Sequence, residues 1–396
     1  MKKNFRPRRQ VVLRGKGVAE EPARYEAAAN AAGPPLRYAA FEITNFRCFQ
    51  SFRIAPLSLV NLVTGVNNVG KTALLEALFL HVGSGIPGLA LRINLWRGLG
   101  AVHEWTGMVW RTLFWQFRSD EPIRFLAEDS KGRKRSLVIT VQPAPTGVVE
   151  KVPSGMGFEF AKELSCELVL EYQEGKGKPQ KVKGIPEIVH KGDLLQLQLR
   201  SEPPIAKAPF PGIFINSWRQ GIPEEEVQRF SDLRIRNRDE VVLEILQHLE
   251  PRLERLEILS PHGASMIHGH LRGYREPVPL SLLGDGMRRV ASLLLALGSA
   301  RGGVVFVDEI ENGVHHSVMR ALWDSIGRAA HLFNTQVIAT THSYECATAA
   351  HEAFKAQDTY DFALHRLDRT DGVVKAVTYD RESLEGAFSI PMEVRG

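Results

Sequence analysis

The segment Gly65-Val66-Asn67-Asn68-Val69-Gly70-Lys71-Thr72 decides how this 396-residue chain is read. It fits the pattern G-x-x-x-x-G-K-[ST], and its flanks supply the context the pattern needs. Upstream, Leu57–Thr64 is a short apolar run suited to a buried strand. Downstream, Leu74, Leu75, Leu78 and Phe79 repeat at helical spacing. A strand that turns through glycines into a helix start aims several backbone N–H groups at one point, with the helix dipole behind them. That point is an anion site. Gly65, Asn67, Asn68, Val69 and Gly70 would wrap phosphates, Lys71 would reach the β- and γ-phosphates, and the Thr72 hydroxyl would ligate Mg²⁺. The competing reading is a glycine-rich turn with a solvated lysine.

Outward from the loop, a second stretch completes the chemistry. Val304–Val307 is a wholly apolar strand ending in Asp308-Glu309. An acid at that point can hold Mg²⁺ opposite Thr72, and Glu309, one residue further, can take a proton from an attacking water. A helix-capping acidic pair is the alternative. Before this strand, Gly284-Asp285-Gly286 opens an apolar helix, Arg288–Leu297, and after it comes an amphipathic helix carrying Val318, Leu322, Trp323 and Ile326 on one face. Gln336–Thr341 is another buried strand, and His342 stands at its end, 34 residues beyond Asp308. Buried strands alternating with helices indicate an α/β fold with a parallel sheet.

The remaining segments read more simply. Residues 1–36 form a basic N-terminal arm with eight basic and three acidic residues, ending at Gly33-Pro34-Pro35. The whole chain has 50 basic and 45 acidic residues, so the remainder is balanced and its net charge argues for no nucleic-acid surface. Arg37–Ile54 reads as a two-stranded hairpin and Phe362–Tyr379 as another around Asp371-Gly372. Residues 86–277 are expected to form a compact inserted α+β arm or lid between the two lobe segments that carry the loop and the acidic pair, 37–85 and 278–396. That insert has strands at Ile123–Ala127, Ser136–Val141, Cys166–Tyr172 and Lys181–Val189, then helices at Pro223–Phe230 and Asp239–Leu249. Its aromatics Trp96, Trp105, Trp110, Phe114, Trp115 and Phe117 are expected in a core rather than on a base-stacking platform. Its basic turns, Lys131–Arg135 and Lys176–Lys183, are the candidates for phosphate contact. No heptads are sustained, no apolar run reaches 18 residues, and there is no signal-peptide core, so a cytoplasmic location is expected and no membrane contact. Three cysteines, Cys48, Cys166 and Cys346, follow no metal or disulfide spacing.

On these residues the sequence resembles the ABC-type P-loop NTPase heads of the SMC, RecF and RecN group. It is most similar to the OLD-like AAA family ATPases found in bacterial phage-defence systems. Phe41–Phe49, Gly65–Thr72, Ser281–Arg289, Val305–His315 and Thr340–Glu345 carry the likeness, and so does Met392–Arg395. The resemblance implies an ATPase that sandwiches Mg-ATP between two copies. Gly284, Asp285 and Gly286 would approach the other copy's γ-phosphate, and Asn312 with Gly313 would line the seam. His342 would touch the γ-phosphate, and Arg47 would lie near the phosphates or adenine. Gly284 stands where the ABC signature usually has serine, which weakens the expected closure. No Q-loop glutamine is assigned, Gln116 being left outside the site. OLD proteins proper carry a Toprim nuclease domain, whereas here about 50 residues without an acidic cluster follow His342. An effector such as a nuclease or toxin is therefore expected as a separate partner. Two alternatives remain: a RecF-like DNA-binding repair ATPase, and a scaffold or sensor that holds ATP with little turnover.

Overall fold

The computed structural model describes residues 35–98, 110–143, 166–191, 194–204, 208–217 and 223–389. The basic arm up to residue 34, Trp105 and Met392–Arg395 lie outside the described residues. The described residues belong to one compact unit.

Strands β1 (Ala40–Phe46) and β2 (Phe49–Ile54) form the expected hairpin, and β3 (Val60–Thr64) leads into the glycine loop. Every residue of β3 is buried, as is every residue of β13 (Val304–Val307) and β14 (Gln336–Thr340). Strands apolar on both faces must be covered on both, which is the signature of a parallel sheet between layers. Strand β9 (Gly212–Ile215) pairs parallel with β13, and β15 (Phe362–Thr370) pairs parallel with β3 and antiparallel with β16 (Val373–Tyr379). The six-stranded order is β16-β15-β3-β14-β13-β9. The β15–β16 turn uses Asp371 and Gly372, with φ of 51° and 79°, as a two-residue hairpin with matching twist requires.

Helix α1 (Lys71–Val82) is buried along nearly its whole circumference. It packs against β1 on one side and β9, β13 and β14 on the other, which explains why its sequence is apolar all round. One core joins Phe41, Ile43, Leu74, Leu78, Phe306 and Ile338 across this layer. A second core covers the opposite face of the parallel sheet. There Leu62, Val305 and Val337 meet α5 (Asp285–Ser299), α6 (His316–Phe333) and α7 (Tyr344–Lys355). The expected face of α6 packs inward through Leu322, Trp323 and Ile326.

The segment 86–277, expected as an insert, contributes to all three sheets. Strands β4 (Ile123–Glu128), β5 (Lys134–Pro143), β6 (Cys166–Glu174), β7 (Gln180–Lys191) and β8 (Leu194–Glu202) extend the sheet begun by the first hairpin, in the order β2-β1-β4-β5-β6-β7-β8. Strand β9 completes the parallel sheet. Helices α3 (Pro223–Ile235) and α4 (Asp239–Leu249) pack on α5, while α2 (Gly88–Trp96) lies against α1 and β8. A small sheet of β10 (Leu253–Leu259), β11 (Met266–Leu271) and β12 (Val278–Pro279) leads into the glycine turn before α5. The sequence pattern marks β4 to β7 but not β8, β9 or β10, and period-2 patterning is silent about which edge a strand joins. The unpaired edge of β1 is satisfied by β4. Helix α8 (Arg381–Ser389) ends the described chain.

Candidate active site

The loop's shape is dictated by its glycines. Gly65 has φ of +143° and Gly70 of +124°, values that side-chain-bearing residues rarely adopt. A Cβ on Gly65 would stand 2.6 Å from the Leu367 carbonyl oxygen, and one on Gly70 would stand 2.7 Å from Cys48 Sγ. Asn68, at φ of +63°, uses the left-handed tolerance of asparagine. The chain then enters α1, where Leu74 N donates to Gly70 O at 2.9 Å.

Three side chains converge where β3 and β13 end. They can do so because β14 alone separates the two strands. Thr72 Oγ1 lies 3.1 Å from both Asp308 carboxylate oxygens. Thr340, at the end of β14, donates to Asp308 Oδ1 at 2.7 Å and accepts from Glu309 N at 2.8 Å. One buried hydroxyl thus fixes the acid and the backbone of its neighbour. Burial pushes the Asp308 carboxyl above its ordinary value, with the Thr340 and Thr72 hydrogen bonds opposing. Lys71 Nζ donates to the carbonyls of Gly65 at 2.6 Å and Val66 at 3.2 Å. Burial also holds this ammonium below its ordinary value, against Asp308, Glu309 and Glu311.

Glu309 sits at φ of +47°, a conformation costing about 1–3 kcal/mol that structures retain mainly at functional sites. Its carboxylate accepts from Asn312 Nδ2 at 2.7 Å. A cavity of about 680 Å³ opens between the loop and these acids, lined by Asn67, Asn68, Gly70, Lys71, Thr72, Asp308 and Glu309. Among the described residues, no group of three His, Cys, Asp or Glu side chains could hold a metal alone. The Thr72–Asp308 oxygen pair instead suits a hard cation that takes its remaining ligands from phosphate and water, as Mg²⁺ does.

Arg47 lines the same cavity, but its guanidinium is already engaged. It donates to Glu76 Oε2 at 3.2 Å, the Thr112 carbonyl at 2.9 Å and Asn94 Oδ1 at 2.8 Å. Its first task is to neutralise Glu76, whose side chain is 1% exposed. Arg97 shares that task, donating to Glu76 Oε1 at 2.8 Å, and also lines the cavity. Nothing in the sequence marked Arg97; a buried acid inside an apolar helix demands a cation but does not say which. Gln116 and Phe117 line the cavity too, both at positive φ. Trp96, Trp110 and Phe114 are core, as expected, whereas Phe117 is 48% exposed at the cavity mouth.

The other site residues stand apart from the cavity lining. Gly284 caps α5 with φ of 103° and ψ of 152°, and no atom lies within 4 Å of where its Cβ would be. Asp285 is exposed, and a Cβ built on Gly286 would meet Val318 of α6 at 3.6 Å. His342 is half exposed, and its backbone N and its Nδ1 share one oxygen of Glu311, at 2.9 and 3.1 Å.

Residues 186–346 match the protein family described as "AAA domain, putative AbiEii toxin, Type IV TA system". The match takes in the glycine turn, Asp308, Glu309 and His342, while the loop at 65–72 is identified by its own geometry. The chain is an ATPase, and its glycine loop has the geometry to cradle phosphates. It is 25% identical over 369 residues to an "ATP/GTP phosphatase" of Helicobacter pylori (strain ATCC 700392 / 26695), covering 87% of this chain and 96% of that protein. Among solved structures it is similar to an SMC head bound to the C-terminal winged-helix domain of ScpA, at 14% identity and a TM-score of 0.47 over 89% of this ATPase and 99% of that chain. The SMC head domain from Thermotoga maritima is similar at 13% identity and a TM-score of 0.41, over 87% and 100% of the two chains.

Proposed function

We propose that two copies of this chain close head to tail on Mg-ATP, and that the closed state gates a separate effector. On this reading Lys71 binds the β- and γ-phosphates, and Thr72 and Asp308 hold Mg²⁺, which would neutralise developing phosphate charge. Glu309 takes the proton of the attacking water, and Asn312 orients its carboxylate from 2.7 Å. His342 meets the γ-phosphate. One observation carries the dimer: the Gly284–Gly286 turn, a bare helix start with an open glycine, stands outside the cavity its own chain builds. A helix N-terminus is an anion site, so a second copy's phosphates are its natural ligand. The matched family's description names a toxin of a Type IV TA system, in keeping with a role beside an effector of the nuclease or toxin class. The anti-phage setting rests on the sequence resemblance. Light scattering on Glu309→Gln tests this. The variant should lose about 10²–10⁴-fold in turnover and accumulate as an ATP-dependent dimer. A monomer at saturating ATP defeats the clamp, and steady phosphate release from wild type separates it from a passive ATP-holding scaffold.

A second reading, contact with nucleic acid, has its own observation. The two basic turns, some 40 residues apart in sequence, adjoin at one end of the seven-stranded sheet. Gly175 N donates to Lys134 O at 2.7 Å, and Arg135 pairs across from Glu174. Lys131, Lys134, Lys176, Lys178 and Lys181 are all exposed there. Replacing the five with glutamine should weaken duplex DNA binding and flatten its salt dependence, by about 0.9 log unit for each phosphate no longer neutralised. Binding that survives unchanged assigns those lysines to solvent.

A further inference from the structure

Two buried groups of opposite charge stand near one another without being joined. Arg289, in the first turns of α5, is partly buried, and its buried Nε and Nη2 have no hydrogen-bond partner among the described residues. Glu311, in the loop after Glu309, has one carboxylate oxygen on His342 and the other buried with no partner among the described residues. The two residues belong to neighbouring segments. Helix α5 packs against α6, and Glu311 lies in the loop entering α6. Glu311 is also the foremost charge acting on Arg289. Unpaired buried donors and acceptors are costly, and native structures satisfy nearly all of them. A complementary pair left open beside a functional loop marks a contact made in a different state of the molecule.

We propose that Glu311 is an exchangeable carboxylate: here it holds His342, and when nucleotide draws in the glycine turn it passes to Arg289, releasing His342 toward the γ-phosphate. Arg289 is then a positioning residue, acting through Glu311 and touching no substrate. The proposal rests on the reading above, in which the glycine turn and His342 meet nucleotide. It adds the physical link between them, a two-position ion pair that both elements bias.

The test is Arg289→Met, similar in length and uncharged, measured for kcat, KM and Tm beside His342→Ala and the double variant. In wild type two buried guanidinium nitrogens carry no hydrogen bond, so Arg289→Met should keep or raise Tm. It should still lower kcat about tenfold, the scale of a typical coupling energy, with KM little changed. Adding His342→Ala to it should cost little more, because His342 is already retained by Glu311. Glu311→Gln gives a second route: in that background Arg289→Met should change nothing. A crystal of Glu309→Gln with ATP should show an Arg289 nitrogen within hydrogen-bond distance of Glu311 and His342 freed from it. Full additivity of the two losses, an undiminished kcat, or a fall in Tm that tracks the loss of activity would overturn the exchange. Absence of any Lys71-dependent ATP turnover in wild type would instead remove the underlying reading. Turnover that needs His342 but ignores Arg289 removes the exchange alone.

Discussion

The loop side and the glycine-turn side of the proposed nucleotide clamp are built very differently in this chain. On the loop side, Lys71, Thr72, Asp308 and Thr340 sit within hydrogen-bond distance of one another or of the loop's own carbonyls, at the ends of buried strands. On the glycine-turn side, Gly284–Gly286 and His342 are exposed or half exposed, and Glu311 and Arg289 are left with unmatched atoms among the described residues. The first side needs only its own fold to be formed. The second resembles half of an interface. On the proposed clamp, preorganisation inside the chain would supply binding and completion from outside would supply control, because a site finished only on closure couples hydrolysis to that closure.

Removing the Lys71 charge should produce the largest effect on the finished side. Lys71→Ala is expected to weaken ATP binding about a hundredfold, since a charge-assisted phosphate contact is worth roughly 1.5–3 kcal/mol. The fold should survive, because the ammonium bonds only loop carbonyls. Fluorescent-nucleotide titration measures the first and thermal melting the second. An unchanged affinity would mean the loop side is not the built half.

On the open side the expected effect is smaller. Gly284→Ser restores the residue usual in related signatures, but φ of 103° with ψ of 152° is glycine territory. The strain, about 1–3 kcal/mol, should oppose any gain from the hydroxyl and weaken ATP-dependent dimerisation, by about tenfold in sedimentation equilibrium. Tighter dimerisation would show that the turn changes conformation on closure.

The smallest effect sharpens the contrast through pH. Burial raises the Asp308 carboxyl above its unfolded value, so the folded protein takes up this proton more readily than the unfolded chain. Stability from this group is therefore fully present at acid pH and is lost as pH rises from the ordinary carboxylate range through the raised value. Asp308→Asn should melt a few degrees higher than wild type at neutral pH, the gap closing on acidification, while its melting loses any response to Mg²⁺. A lower Tm for the variant at neutral pH would mean that the carboxylate's hydrogen bonds outweigh its burial.

Much of this was legible without coordinates because it is local. Glycine spacing ahead of a lysine, four apolar residues ending in Asp308-Glu309, and Asp371-Gly372 between alternating runs each specify their own backbone. The strands, helices and phosphate-loop chemistry follow from short-range sterics and periodicity. The joining of distant segments is not local. That strands β4–β8 extend the first hairpin's sheet, that β9 completes the parallel sheet, and that Arg47 and Arg97 converge on buried Glu76 depend on which edges and charges were left unsatisfied elsewhere. Thr340 bracing Asp308 and Glu309, and Arg289 stranded near Glu311, exist only once three strand ends and two helix starts share one point. Sequence alone determined the parts and the reaction they suit. Tertiary structure decided which parts are finished and which wait, because burial and partner geometry belong to the assembled chain and not to any one segment of it.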